Sequence, residues 1–170
     1  KYVTKLSGNW AYVSTPIELN AKLSAGFAPK YIFFPHWRWI VPVEIFTEFE
    51  CVCFHMTDVP YGRGGSPLQN LIVRGHRETV LTALQMEKGL DTGPVYLKKP
   101  LSLEGSAAAI YSRAGQTTWA MIAEIISDEI KPIAQQGEAV VFQRRTPEKS
   151  EIPDGLTLEQ IYDYIRMLDA

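Results

Sequence analysis

Hydrophobic and polar positions along the chain switch between two periods. Tyr31-Ile32-Phe33-Phe34 is an unbroken apolar run between Pro29 and Pro35, and Cys51-Val52-Cys53-Phe54 is a second. Short apolar runs bounded by breakers predict buried strands of the parallel-sheet kind. Around them the period lengthens. Pro16 suits the first turn of a helix that continues through Ile17, Leu19 and Leu23 and stops at Gly26. A weaker helical signal covers 43–49, and a third helix starts at Pro67, runs through Leu68, Leu71, Ile72 and Val73, and ends at Gly75. Asn9 to Thr15 reads as a short strand, and 57–67, dense in glycine and proline, as a loop.

Thr79 to Met86 alternates at strand period, Gly89 to Pro94 turns, and Val95 to Lys99 opens another strand. That order predicts an antiparallel hairpin with a functional loop at its tip. A long helix is expected over 107–132, then a short strand at Val140-Val141-Phe142. The segment 150–170 should end in a helix capped by Thr157, with Leu158, Ile161, Tyr162, Ile165 and Leu168 on one face. The whole reads as α/β: a Rossmann-like, mostly parallel sheet flanked by helices, with an antiparallel edge hairpin and a short N-terminal end. We expect a single domain over 1–170, with 144–170 as a C-terminal tail and helix.

Composition narrows the function. With 170 residues, 46% hydrophobic and 21% charged, the chain suits one sizeable core. Net charge is −2 and the pI is near 5.9. A protein that lives on nucleic acid usually carries a basic stripe, and none is evident, so nucleic acid is not the expected partner. No apolar stretch is long enough to span a bilayer and no signal peptide opens the chain, which predicts a cytoplasmic protein without a membrane partner. Self-association is left open. Cys51 and Cys53 lie on one strand-like run with side chains pointing the same way. A disulfide between them would be strained, so two buried thiols are expected, and no metal site.

Two segments carry chemistry. In the first, His55 leaves the carboxyl end of a buried strand, where open α/β sheets place ligands, and Arg63 follows in a glycine-rich loop suited to meeting an anion or carbonyl. In the second, Asp91 sits in a tight turn between two strands. Imidazole titrates near neutrality and a carboxylate can hold it protonated, so the two form a candidate acid/base pair. The aromatic cluster from Phe34 to Trp39 reads as packing around a cleft, and His76 as an exposed residue at a helix end.

Taken together, these segments resemble the folate-dependent formyltransferase family of methionyl-tRNA formyltransferases, glycinamide ribonucleotide transformylases and sugar N-formyltransferases. The family pattern Asn-x-His, Leu-Pro, Arg-Gly-x-x-Pro becomes Cys53-x-His55, Val59-Pro60 and Arg63-Gly64-x-x-Pro67 here. The later pattern Gln-Met-x-x-Gly-Leu-Asp-Thr-Gly-Pro is intact from Gln85 to Pro94, and Ile40-Val41-Pro42 looks like the Ile-Leu-Pro upstream. The resemblance implies 10-formyltetrahydrofolate as formyl donor. It implies His55 and Asp91 as catalytic residues, with Cys53 in the third catalytic position. It further implies Ile40, Val41, Met86, Gly89, Leu90 and Asp91 against the folate, and Arg63 and Gly64 toward the acceptor. Where the family has asparagine, Cys53 offers only a weak donor. A nucleophilic Cys53 activated by His55 is the alternative, and inert packing is favoured over it.

The tail from Arg144 to Ala170 resembles the close of the catalytic domain in sugar-type members, and the chain stops before the barrel that methionyl-tRNA formyltransferases carry. The expected acceptor is therefore a small-molecule amine, an amino sugar or nucleotide-linked sugar. A non-catalytic folate-binding module, a methionyl-tRNA formyltransferase-like enzyme and another one-carbon transferase are the alternatives.

Overall fold

The computed structural model describes residues 8–169. The predicted domain's first seven positions and Ala170 lie outside them. Among the described residues eleven α-helices and β-strands follow in order: α1 (Pro16–Ser24), β1 (Tyr31–Phe34), α2 (Val43–Glu48), β2 (Glu50–His55), β3 (Tyr61–Gly64), α3 (Pro67–Ile72), β4 (Glu78–Gln85), β5 (Val95–Ser102), α4 (Ala107–Ser127), β6 (Val140–Phe142) and α5 (Leu158–Arg166), with a short 3-10 helix (Pro147–Ser150) before α5. The main sheet has the order β1-β2-β4-β5. Only β1 and β2 pair in parallel; β2–β4 and β4–β5 are antiparallel. The α/β class holds, but the sheet is mixed rather than mostly parallel, because the predicted hairpin joins β2 directly instead of sitting at a distant edge.

Strand β2 organises the two faces of this sheet. Side chains alternate along a strand. Val52 and Phe54 therefore face a core in which Leu81, Leu101, Ile110, Ala114, Met121 and Ile125 pack α4 on the hairpin. Cys51 and Cys53 face the smaller cluster of Leu19, Phe34, Val41 and Ile45, which α1 and α2 cover. His55 continues the cysteine face.

Three local expectations change. Asn9 to Thr15 forms no strand, since no neighbour offers it a ladder. It instead leads into α1, whose Thr15 side chain accepts from the Glu18 N–H while Glu18 accepts from the Ser14 N–H. The loop predicted over 57–67 contains β3, paired in parallel with β6 as a separate two-stranded sheet. Helix α4 stops at Ser127 rather than near 132, because Ile133 is drawn beside the hairpin by reciprocal backbone bonds with Val95 of 2.7 and 2.9 Å.

The C-terminal helix also packs on an unexpected face. Thr157 and Gln160 form a full capping box. Yet Leu158, Tyr162, Ile165 and Leu168 are exposed, while Asp163 and Arg166 are buried, Met167 just past the helix enters the main core and Tyr164 packs against it. Arg166 donates to Asp163 at 2.6 Å through Nε and to the carbonyls of Leu103 and Gly105 through Nη1. Arg77 completes the set on Asp163 at 3.2 Å. Polar bonds, beside the apolar anchor of Tyr164 and Met167, thus dock α5 on the turn between β5 and α4. Removing one partner from a buried pair leaves the other uncompensated. Asp163→Ala should therefore destabilise the protein by about 3–5 kcal/mol, read as a lower urea midpoint; a change below about 1 kcal/mol would show that the pair behaves as a surface bridge.

Candidate functional site

A cleft of about 1760 Å³ opens along the cysteine face of the sheet. One wall is the aromatic and apolar stretch from Trp37 to Val43, another the segment from Met86 to Gly93, and a third runs from Gln143 to Pro147. Cys53 and His55 line it together with Gly64. Ile40 and Leu90 project into solvent there, at 87% and 60% exposure, while Val41 is buried. Large apolar side chains left open on a cleft wall suit a flat organic ligand.

His55 is buried and held at one nitrogen. Its Nε2 lies 2.8 Å from the Gly62 carbonyl, which can only accept, so Nε2 carries a hydrogen and Nδ1 is the nitrogen left to act. Thr57 donates to the same carbonyl at 3.2 Å, and Thr82 donates to the Thr57 carbonyl at 2.7 Å. Nδ1 stands 3.6 Å from Asp91 Oδ2. That oxygen also accepts the Gly64 N–H at 2.9 Å.

Asp91 reaches this place by a detour. In register, Gln85 pairs with Val52 and Thr82 with His55, so the hairpin tip lies short of His55 along β2. The loop must fold back over the sheet face. It does so with Asp91 at a φ of 54°, in the left-handed region, and with Gly93 so close to Gln85 that a Cβ would lie 1.9 Å from the Gln85 carbonyl oxygen. Only glycine fits at position 93.

Cys53 turns its thiol to the Leu84 carbonyl at 3.7 Å. Burial, reinforced by the neighbouring Asp91 carboxylate, pushes this thiol up to about 12. Cys51, further inside, is pushed up to about 12 by burial as well. Both cysteines are free thiols; Cys51 is buried as expected, whereas Cys53 is only half-buried because it lines the cleft.

Ile40, Val41, Met86, Gly89, Leu90 and Asp91 all line the cleft, as does Gly64. Arg63 does not. Its guanidinium is turned to Gln135, with Nε and Nη2 at 3.1 and 2.8 Å from Oε1. Gln135, and Tyr111 on the cleft wall, were not singled out by the sequence. Tyr111 lies on α4 and Gln135 in an irregular segment, both without a motif, so periodicity gives no signal for their part in a site. His76, expected to be exposed, is partly covered and lies 3.1 Å from the Tyr61 hydroxyl. Among the described residues there is no cluster of His, Cys, Asp and Glu able to hold a metal, and no helix long and apolar enough to cross a membrane.

A mixed α/β sheet with this cleft is the formyltransferase fold. The solved structure of methionyl-tRNA formyltransferase from Clostridium thermocellum superposes with a TM-score of 0.88 and 51% identity, over 93% of this chain and 70% of that one. The chain belongs to the folate-dependent formyltransferase family. The methionyl-tRNA formyltransferase of Sinorhizobium medicae (strain WSM419) is 29% identical over 138 residues, 76% of this chain and 44% of that protein. A family profile described as methionyl-tRNA formyltransferase, C-terminal domain, matches residues 147–170. Formyltransferase PseJ from Anoxybacillus kamchatkensis, solved in complex with UDP-4,6-dideoxy-4-formamido-L-AltNAc and tetrahydrofolate, shares the fold at a TM-score of 0.57 and 19% identity, over 66% of this chain and 64% of that one. The chain spans 32% to 49% of the length of the curated relatives it matches.

A thiol raised this far is almost wholly protonated at neutral pH, and thiolate is the reactive form. Cys53 should therefore react with iodoacetamide at pH 8 at least about tenfold more slowly than a free-cysteine peptide, even after allowing for the greater intrinsic nucleophilicity of a high-pKa thiolate. Mass spectrometry of the labelled protein would read it, and peptide-like reactivity would reveal an activated thiolate.

Proposed function

We propose that the protein is an N-formyltransferase that moves the formyl group of 10-formyltetrahydrofolate to a primary amine. The observation that carries this reading is the Asp91 carboxylate 3.6 Å from His55 Nδ1, beside Cys53 on the floor of the cleft. The donor supplies an N-formyl carbonyl that the amine attacks. His55 is the residue assigned to the charge that gathers on the formyl oxygen, through Nδ1–H, since Nε2–H is committed to Gly62. Asp91 is assigned two tasks: its carboxylate faces the imidazole at Nδ1, and it takes the proton that the amine sheds as the new C–N bond forms and returns it to the folate nitrogen as the donor's N–formyl bond breaks and tetrahydrofolate leaves. Ile40, Val41 and the backbone from Met86 to Leu90 are assigned to the folate ring, and Gly64 to the acceptor. Arg63 is withdrawn from that role because Gln135 engages it.

The methionyl-tRNA relatives favour the α-amine of methionyl-tRNA as acceptor over the amino sugar expected from the sequence, and so favour a nucleic-acid partner. The tail that looked sugar-like is the segment matched by the methionyl-tRNA formyltransferase profile. Tetrahydrofolate release in the presence of 10-formyltetrahydrofolate, with methionyl-tRNA in one arm and nucleotide-linked amino sugars in the other, tests the reading. Faster release with methionyl-tRNA is expected. Folate binding without transfer to either acceptor would mean a binding module instead.

Two substitutions probe the roles. Asp91→Asn keeps shape but removes the charge, and should lower kcat by about 100- to 10,000-fold with the fold intact by circular dichroism. An unchanged rate would remove Asp91 from the chemistry. Cys53→Asn should preserve or raise turnover, because an amide is a stronger donor than a thiol. A nucleophilic Cys53 predicts the opposite sign, with complete loss and an acyl-thiol trapped on the wild type.

A further inference from the structure

Gln135 touches the candidate site from a stretch of chain that no motif marks. It lies after α4, in the segment that Ile133 and Val95 tie beside the hairpin. Its amide is fully engaged. Nε2 donates to the Asp91 carbonyl at 2.9 Å and to the Gly93 carbonyl at 2.7 Å. Oε1 accepts the fork of Arg63. The amide's orientation is fixed by its partners, since carbonyls require a donor and a guanidinium requires an acceptor.

Arg63 and Gly64 are neighbours on β3, and together they hold Asp91 at both ends. Gly64 reaches the carboxylate directly through its N–H. Arg63 reaches the backbone carbonyl of Asp91 indirectly, through Gln135. Asp91 benefits from that restraint, because its φ of 54° lies in the left-handed region, which is less favourable than negative φ for a residue with a Cβ, although aspartate tolerates it better than most. Rotation back toward negative φ would swing the carboxylate off His55.

We infer that Gln135 is a positioning residue: it locks the Asp91 backbone so that the carboxylate stays beside His55 Nδ1, and Arg63 serves to orient Gln135 rather than to bind substrate. The catalytic consequence rests on the formyl-transfer reading, whereas the structural consequence rests on this geometry alone. Gln135→Glu separates the two ends of the clamp. It keeps an oxygen for Arg63, now as an ion pair, and sets a second acceptor against two carbonyls.

The expected result for Gln135→Glu is a kcat about 10- to 100-fold lower, with KM for donor and acceptor within about twofold, as fits a group that orients without touching substrate. Hydrogen–deuterium exchange should rise in the peptide covering 86–94. In an Asp91→Asn background the same change should cost nothing further, because both act through one carboxylate. Gln135→Met, which removes both ends, should reproduce the exchange and kinetic effects if the glutamate variant misfolds. Wild-type turnover with wild-type exchange, or a loss that adds fully to that of Asp91→Asn, would overturn the inference. If the wild type transfers formyl to no amine, the formyl-transfer reading falls, and the exchange measurement alone decides the clamp: unchanged protection of 86–94 overturns it, and lost protection upholds it.

Discussion

The position of one carboxylate constrains this whole site. β4 runs antiparallel to β2, so the hairpin tip emerges level with Val52 and not with His55. To place Asp91 by His55, the loop must cross the sheet face and be held there. The chain achieves this with a left-handed Asp91, a glycine at 93 packed on Gln85, the Gly64 N–H on the carboxylate and the Gln135 amide on the backbone. Each contact is ordinary by itself, contributing on the order of 1 kcal/mol. Together they oppose the loop's conformational entropy, which would otherwise spread the carboxylate over many positions.

The same alternation along β2 that buries Val52 on one face delivers Cys53 and His55 to the other. Their environments then diverge. His55 has Nε2 fixed by a carbonyl and Nδ1 left at the cleft beside Asp91, which suits a group that must aim a hydrogen bond at charge on a bound molecule. Cys53 sends its weak donor to Leu84 and stays protonated, so it contributes little polarity to the cleft floor. On the proposed mechanism, electrostatic stabilisation falls mainly on His55, with Asp91 behind it. In the family pattern an asparagine shares that load.

Much of the fold could be read from the sequence because its local signals agreed with each other. Pro16 and Gly26, the runs at 31–34 and 51–54, the hairpin around 86–94 and the Thr157 cap all combine a period with a stop signal. The pairing of His55 with Asp91 is read from the order of the two motifs and from both residues standing at strand ends, not from periodicity. Three features were out of reach for physical reasons. β3 is too short and too rich in glycine to signal a strand, and it forms only because β6 arrives beside it. Helix α5 buries Asp163 and Arg166, which inverts the usual reading of an amphipathic face. Gln135 acts through three backbone or side-chain partners far apart in sequence, a pattern that no window along the chain can contain.

Gly64 links the tail of the chain to the candidate site. Its φ of 105° and the position of the Phe142 carbonyl, 2.5 Å from where a Cβ would sit, allow β6 to come in against β3. The same residue gives its N–H to Asp91. Beyond β6 the chain continues as the cleft's third wall, where the Arg145 N–H donates to Ser66 Oγ at 3.1 Å. It then ends in α5, whose Met167 carbonyl accepts from Gln69 at 3.4 Å. Tail and motif loop therefore share one set of hydrogen bonds. A side chain at position 64 would push β6 away and twist the N–H from the carboxylate in a single step, so the glycine of the Arg-Gly-x-x-Pro pattern is required by packing and by electrostatics at once.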